Sequence, residues 1–245
     1  MKQRLDSEMA RRGLAPSRES AQRLIMAGRV RVNSRPAAKP DLRVDANTII
    51  AVVGSAAEYV SRGAYKLIAA LDKFAVEVKD RRALDVGAST GGFTDVLLRR
   101  GAAHVIALDV GYGQIAERLR IDARVTVIDR TNVRLLQAGQ LPYPPDLVVA
   151  DTSFISLKLV LPSLVEVIAP GADLIVLIKP QFEVGKGKVG KGGIVRDPGL
   201  RQQAITGVIE AARALGLEAN EAIESPITGA SGNREFLAHF RHPGG

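Results

Sequence analysis

Two hydrophobic rhythms alternate along most of this chain. Short apolar runs at strand spacing are followed by longer stretches whose apolar residues recur at helical spacing. The runs predict strands at Ala83–Val86, Val105–Val110, Val125–Ile128, Leu147–Ala150 and Leu174–Ile178, with helices between them. Pro198 to Leu215 reads as a helix, and two more strands follow near Glu218–Glu224 and Glu235–Phe240. Strands alternating with helices argue for an α/β, doubly wound, Rossmann-like and mostly parallel sheet, with the final strand a candidate for antiparallel pairing.

The first quarter follows a different pattern. Leu5, Met9 and Leu14 share one helical face that ends at Gly13. Ser17 caps a second helix through Ala27, with Leu24 and Ile25 on its apolar side and Gly28 as its stop. Val30 and Val32 alternate with Arg29 and Arg31 as in a strand, Asn33-Ser34-Arg35-Pro36 reads as a turn, and Thr48 to Val53 is a last strand. Residues 55–60 read as a short linker. The expected organisation is a small module with its linker over 1–58 and a larger domain over 59–245.

Composition sharpens this division. Residues 1–60 carry 11 Lys/Arg against 6 Asp/Glu, whereas the remaining 185 carry 23 against 20. A basic module on a nearly balanced body suggests that a polyanion docks on the module. The 46% hydrophobic content of the 245 residues suffices for a proper core. The absence of Cys rules out disulfides, thiolate ligands and a Cys nucleophile. The charged start after Met1 reads as lacking a signal peptide, and the longest apolar runs fall far short of the ~20 residues a membrane helix needs. A cytoplasmic protein that does not enter membranes is expected. His104, His239 and His242 lack ligand spacing, so no metal is expected.

The candidate chemistry begins where the first long-domain strand meets its helix. Asp85 and Gly87 lead into a turn containing Ser89, Gly91, Gly92 and Phe93. Its Gly-x-x-x-Gly-Gly spacing matches neither the dinucleotide fingerprint nor a Walker loop. Such a turn lets the backbone approach a ligand at the carboxyl edge of the sheet. Asp109 ends the second strand, where it can accept from ribose hydroxyls, and Asp129 ends the third, where it can accept from an adenine amino group. Together these residues read as an S-adenosylmethionine site; NAD stays possible, although the glycine spacing disfavours it. Without Cys, C5 methylation of pyrimidines is disfavoured. The fourth strand ends in Asp151-Thr-Ser-Phe, without the prolines usual in adenine amino-methylation.

Ionic residues at strand ends stand out instead. Lys66, Asp151, Lys179 and Glu235 form an ordered Lys-Asp-Lys-Glu set. It resembles the tetrad of ribose 2′-O-methyltransferases related to the heat-shock rRNA methyltransferase. The first module resembles the RNA-binding fold of ribosomal S-four type through Arg4-Leu5-Asp6, Arg11-Arg12-Gly13-Leu14, Ser17-Arg18, Ala21, Leu24-Ile25, Gly28 and Val30-Arg31-Val32-Asn33. Further stretches, among them Ala88-Ser-Thr-Gly-Gly-Phe-Thr and Lys179-Pro-Gln-Phe-Glu, extend the match nearly end to end. The whole chain is similar to the TlyA family of rRNA cytidine-2′-O-methyltransferases, historically labelled haemolysins. One departure is Ala56-Ala57-Glu58-Tyr59-Val60, which lacks the Arg of an Arg-aromatic linker motif found in some members.

The resemblance implies methyl transfer from S-adenosylmethionine to the 2′-OH of a cytidine in ribosomal RNA within ribosomal subunits. Lys179 would be the general base, its charged form disfavoured by partial burial and by Lys66, with Asp151 and Glu235 orienting the lysines. Arg4, Arg11, Arg12, Arg18, Arg23 and Arg31 would meet RNA phosphates, as would Lys186, Lys188 and Lys191 in a glycine-rich loop after the fifth strand. Longer members with a C-terminal helical tail act on both subunits, so a chain ending at Gly245 is expected to prefer the large, 50S, subunit. A membrane-active haemolysin and a catalytically silent ribosome-assembly factor are the alternatives.

Overall fold

The structure, a computed structural model, describes residues 2–26, 28–37, 39–52, 59–185, 187–229 and 231–244. Ala27, Val53, most of the linker and Lys186, all invoked above, lie outside the described residues. The chain divides into two compact units, Met1–Glu58 and Tyr59–Gly245.

In the first unit, β1 (Gln3–Arg4) runs into α1 (Leu5–Arg11), and α2 (Arg18–Met26), β2 (Val30–Val32), β3 (Arg35–Pro36), β4 (Arg43–Val44) and β5 (Ile50–Val52) follow. β3, β2 and β5 form one antiparallel sheet, and β1 pairs with β4. Leu5, Met9, Ile25, Val30 and Val44 are buried in a small core. α1 stops at Arg11, because Gly13 adopts φ +69° and turns the chain; Leu14 therefore packs on the core from beyond the helix. The turn after β2 is confined to Asn33 and Ser34, both at positive φ, and Arg35–Pro36 pair back onto β2. The last strand starts at Ile50 rather than Thr48, because the Thr48 hydroxyl donates to Asp45 Oδ1 (2.8 Å), which fixes a turn just before it.

The second unit contains α3 (Ala64–Phe74), β6 (Arg82–Val86), α4 (Gly92–Arg99), β7 (His104–Leu108), α5 (Glu117–Arg120), β8 (Val125–Ile128), β9 (Leu147–Ala150), α6 (Leu161–Val167), β10 (Asp173–Ile178), α7 (Pro180–Glu183), α8 (Pro198–Ala214), β11 (Glu218–Ala219), β12 (Ile223–Glu224) and β13 (Phe236–Arg241). The sheet order is β11-β13-β10-β9-β6-β7-β8, with β12 also on β13. The five strands from β10 to β8 are parallel, and β13 is antiparallel to β10. The strand order reverses between β6 and β9, which opens a crevice at their carboxyl ends.

Alternating residues feed two cores. Leu147 and Val149 face α3 and α4, whereas Val148 and Ala150 face the layer of α6 and α8. Pro198 opens α8 after Asp197, whose carboxylate accepts from the Gly199 and Leu200 amides. Two expectations need revision. The run Glu218–Glu224 splits into β11 and β12, each pairing separately with β13. β7 ends at Leu108, so Asp109 and Val110 belong to the loop beyond it.

Candidate active site

Two parallel strands, the antiparallel strand and a helix bring four ionic side chains to one place. Asp151 follows β9, Lys179 follows β10, Glu235 precedes the antiparallel β13, and Lys66 projects from the first turn of α3. Lys179 Nζ lies 2.6 Å from Asp151 Oδ1, and Lys66 Nζ lies 2.6 Å from Glu235 Oε2 and 3.6 Å from Asp151 Oδ2. Asp151 thus joins two pairs into one chain of alternating charge. Lys66, Lys179 and Glu235 are buried. Removing one partner from a buried pair costs about 3–5 kcal/mol, because the other charge is stranded. A fifth group escaped the sequence reading: Lys179 Nζ donates to Ser153 Oγ at 2.7 Å. Ser153 stands within the quoted strand-end motif, but a lone serine gives no charge pattern to single it out.

The tetrad borders a cavity of about 630 Å³ whose opposite wall is the glycine turn. Asp85, Gly87, Ser89, Gly92 and Phe93 all line it. Gly87 has φ +80°, and a Cβ there would stand 2.7 Å from the Asp151 carbonyl oxygen, so only glycine lets β6 and β9 end this close together. Gly92 sits where any side chain would overlap the Ser61 hydroxyl at the entry to α3. Gly91 is not among the residues lining this cavity; a Cβ there would collide with Leu119 of α5, which makes it a packing glycine.

Asp85 is fully buried, and its Oδ2 accepts from the Thr94 amide (2.9 Å) and hydroxyl (2.6 Å). Its Oδ1 is buried with no partner. Burial pushes this carboxyl up to about 7, and the Asp151 and Asp109 charges add to the rise against the two Thr94 bonds. A second cavity of about 820 Å³ shares Gly87, Ser89, Asp151, Ser153, Phe154 and Phe182 with the first. Asp109 lines it, and its carboxylate accepts from the Ser89 amide (2.8 Å) and the Gly111 amide (2.7 Å). Asp129 stands behind it, lines neither cavity, and accepts from the Gly113 amide at 3.0 Å. At the far end of this cavity the structure places Thr131 and Asn132, which sequence reasoning did not select.

The glycine-rich loop after α7 edges the first cavity through Val189 and Gly193. Asn233 holds the loop's far end, accepting from the Val195 amide (2.9 Å) and donating to the Gly193 carbonyl (2.8 Å). Lys188 and Lys191 are carried on the exposed loop. In the first unit the arginines divide into two groups. Arg4 and Arg18 share Asp6, Arg11 and Arg12 share Glu8, and Arg12 also donates to the carbonyls of Asp45, Ala46 and Thr48. Arg23 donates to the Ser20 hydroxyl, and Arg31 is exposed on β2.

Comparison with known proteins settles what this arrangement belongs to. Residues 59–242 match the model of the FtsJ-like methyltransferases, and residues 3–50 match the S4 domain. The 16S/23S rRNA (cytidine-2′-O)-methyltransferase TlyA of Mycobacterium tuberculosis is 53% identical over 97% of this chain and 89% of its own length. This chain belongs to the TlyA family of FtsJ-like methyltransferases. Within the family, Hemolysin A of Brachyspira hyodysenteriae is 40% identical over 97% of this chain and 99% of its own. A solved structure from Streptococcus thermophilus, described as a hemolysin, is 39% identical with a TM-score of 0.78, and the match covers 99% of this chain and 89% of that one. The larger unit is therefore a methyltransferase domain with a Rossmann-like sheet, and the smaller one is an S4 domain.

Proposed function

We propose that this methyltransferase transfers a methyl group from S-adenosylmethionine to the ribose 2′-OH of a cytidine in ribosomal RNA, in the cytoplasm, with Lys179 as general base. The observation that carries the reading is the convergence of Lys66, Asp151, Lys179 and Glu235 on one cavity beside the glycine turn. S-adenosylmethionine supplies an activated methyl group on a sulfonium. The buried, unpartnered Asp85 Oδ1 and the Gly87 cradle fit its polar methionine end, with Ser89, Gly92 and Phe93 around it. Asp109 would hold the ribose hydroxyls: each of its oxygens takes one backbone N–H and keeps a lone pair free. Asp129, one layer back, would act on the adenine end through the loop it holds.

A ribose hydroxyl is a weak nucleophile, so this chain must remove its proton and align it. Two ammonium and two carboxylate groups give the tetrad no net charge. Lys66 is held between Glu235 and Asp151 and serves as the fixed cation. Lys179, held by Asp151 and Ser153, takes the 2′-OH proton at Nζ when it is neutral.

Large-subunit RNA is the favoured substrate, since 23S rRNA is common to the names of the M. tuberculosis relative and a 34% identical one from Campylobacter jejuni. Arg4, Arg11, Arg18, Arg23, Arg31, Lys188 and Lys191 would meet its phosphates. A membrane-lytic reading has the Hemolysin A name in its favour. No helix among the described residues is long and apolar enough to cross a membrane. The test is to offer purified 30S and 50S particles separately with methyl-labelled cofactor and to map the product by mass spectrometry. The expected product is 2′-O-methylcytidine in large-subunit RNA. Equal labelling of the small subunit would remove the restriction, and methylation confined to bases would remove the ribose chemistry.

A further inference from the structure

Asp6 is an acid placed at the centre of a basic surface. It is completely buried at the start of α1. Its Oδ1 accepts from Arg4 Nε (3.1 Å) and the Ser7 amide (2.8 Å). Its Oδ2 accepts from Arg4 Nη2 (3.0 Å), Arg18 Nε (3.1 Å) and Gln22 Nε2 (2.7 Å). Arg4 enters from β1 and Arg18 from the first turn of α2, so one carboxylate gathers side chains from two elements.

The way the two guanidiniums are held matters more than the pairing. Each arginine has five N–H donors. Arg4 gives Asp6 its Nε edge, which leaves three donors, and Arg18 gives only Nε, which leaves four. The side chains of Arg4 and Arg18 remain 36% and 51% exposed, against 0% for Asp6. A purely structural ion pair would bury both ends; here the acid is hidden while the terminal donors face solvent. Guanidinium groups stay charged at any physiological pH and match phosphate oxygens in pairs. Holding two of them in place beforehand removes much of the side-chain entropy that binding would otherwise cost.

We propose that Asp6 is a positioning residue that pre-forms Arg4 and Arg18 into a two-arginine clamp for the phosphodiester backbone of structured RNA. The inference rests on the ribosomal-RNA reading above and adds to it the group that organises the docking surface.

The test exploits a conflict between two expectations. Asp6→Asn removes a negative charge, so net electrostatics alone would tighten RNA binding. The clamp requires the opposite: affinity of the full chain for purified 50S particles should fall roughly tenfold, from the ordering cost of two freed arginine side chains. The effect should vanish in an Arg4→Gln/Arg18→Gln background, because Asp6 would have nothing left to position. An Asp6→Asn loss of equal size in that background would mean a general role in the fold and would overturn the proposal, as would unchanged or tighter binding. Should Asp6→Asn prevent folding, Arg4→Lys/Arg18→Lys keeps the net charge while losing the fork; full affinity in that variant would also overturn the clamp. A wild-type chain that does not bind the particles would instead defeat the ribosomal-RNA reading, and the clamp with it.

Discussion

Both units pair carboxylates with basic side chains, but the bases differ. In the S4 domain, Asp6 holds Arg4 and Arg18 and Glu8 holds Arg11, all with outer donors left to solvent, while Arg12 on Glu8 is tied down within the fold. In the methyltransferase domain, Asp151 and Glu235 hold lysines that are themselves buried at the floor of a cavity. Arginine keeps its proton, so the first arrangement offers fixed charge and donor geometry to an anion. Lysine can give its proton up where its surroundings disfavour charge, so the second can do proton chemistry. A similar acid–base motif serves docking on one domain and catalysis on the other, and the choice of cation together with its exposure makes the difference.

The sharpest way to break this comparison is to exchange the cations. Lys179→Arg keeps the charge beside Asp151 but removes a base that can be neutral. Methyl transfer should fall by about 10²–10⁴-fold, as for loss of a general base, while cofactor affinity measured by calorimetry stays close to wild type. Substantial turnover by this variant would show that Lys179 acts only as a cation, and the two sites would then not differ in kind.

A smaller effect tests the acid that has no cation at all. Asp85 titrates at about 7 in the folded protein, above the ordinary 3.8, so the native state holds a proton that the unfolded chain releases. Its contribution to stability is therefore complete below about pH 4 and is lost as pH rises through about 7. Between about pH 5 and about pH 8 the wild-type melting temperature should fall by several degrees more than that of Asp85→Asn, which cannot ionise. Parallel pH profiles for the two proteins would rule out a protonated buried Asp85.

The smallest expected effect separates docking arginines from architectural ones. Arg23→Ala and Arg31→Ala should each reduce the slope of log affinity for ribosomal particles against log salt by about 1, with little change in melting temperature. Arg12→Ala should do the reverse, because its donors are bound to Glu8 and three carbonyls within the fold. If all three variants changed the salt slope alike, the internal bonds of Arg12 would have no bearing on its role.

The apolar rhythm alone located β8 and β9 to the residue, and β6, β10 and α8 to within one residue at an end. Their side chains are sorted between core and solvent at the period of the element itself. α3 carries Lys66 and drew no separate prediction; nor did the two-residue strands of the first unit, which are too short to show any period.

The sequence by itself determined the alternating α/β order, the basic first module, the glycine turn and the four ionic residues of the tetrad, because each depends on residue type and local spacing. The tertiary structure alone decided how the four ions pair, that Ser153 joins Lys179, and that Asp85 is left with an unpartnered oxygen. It likewise separated Gly91, which packs on α5, from Gly87, which lets two strand ends meet, and it committed Arg12 to the fold. These outcomes depend on contacts between residues far apart in the chain, and the strength of a charge in such a contact depends on its burial and its neighbours, neither of which is written in local sequence.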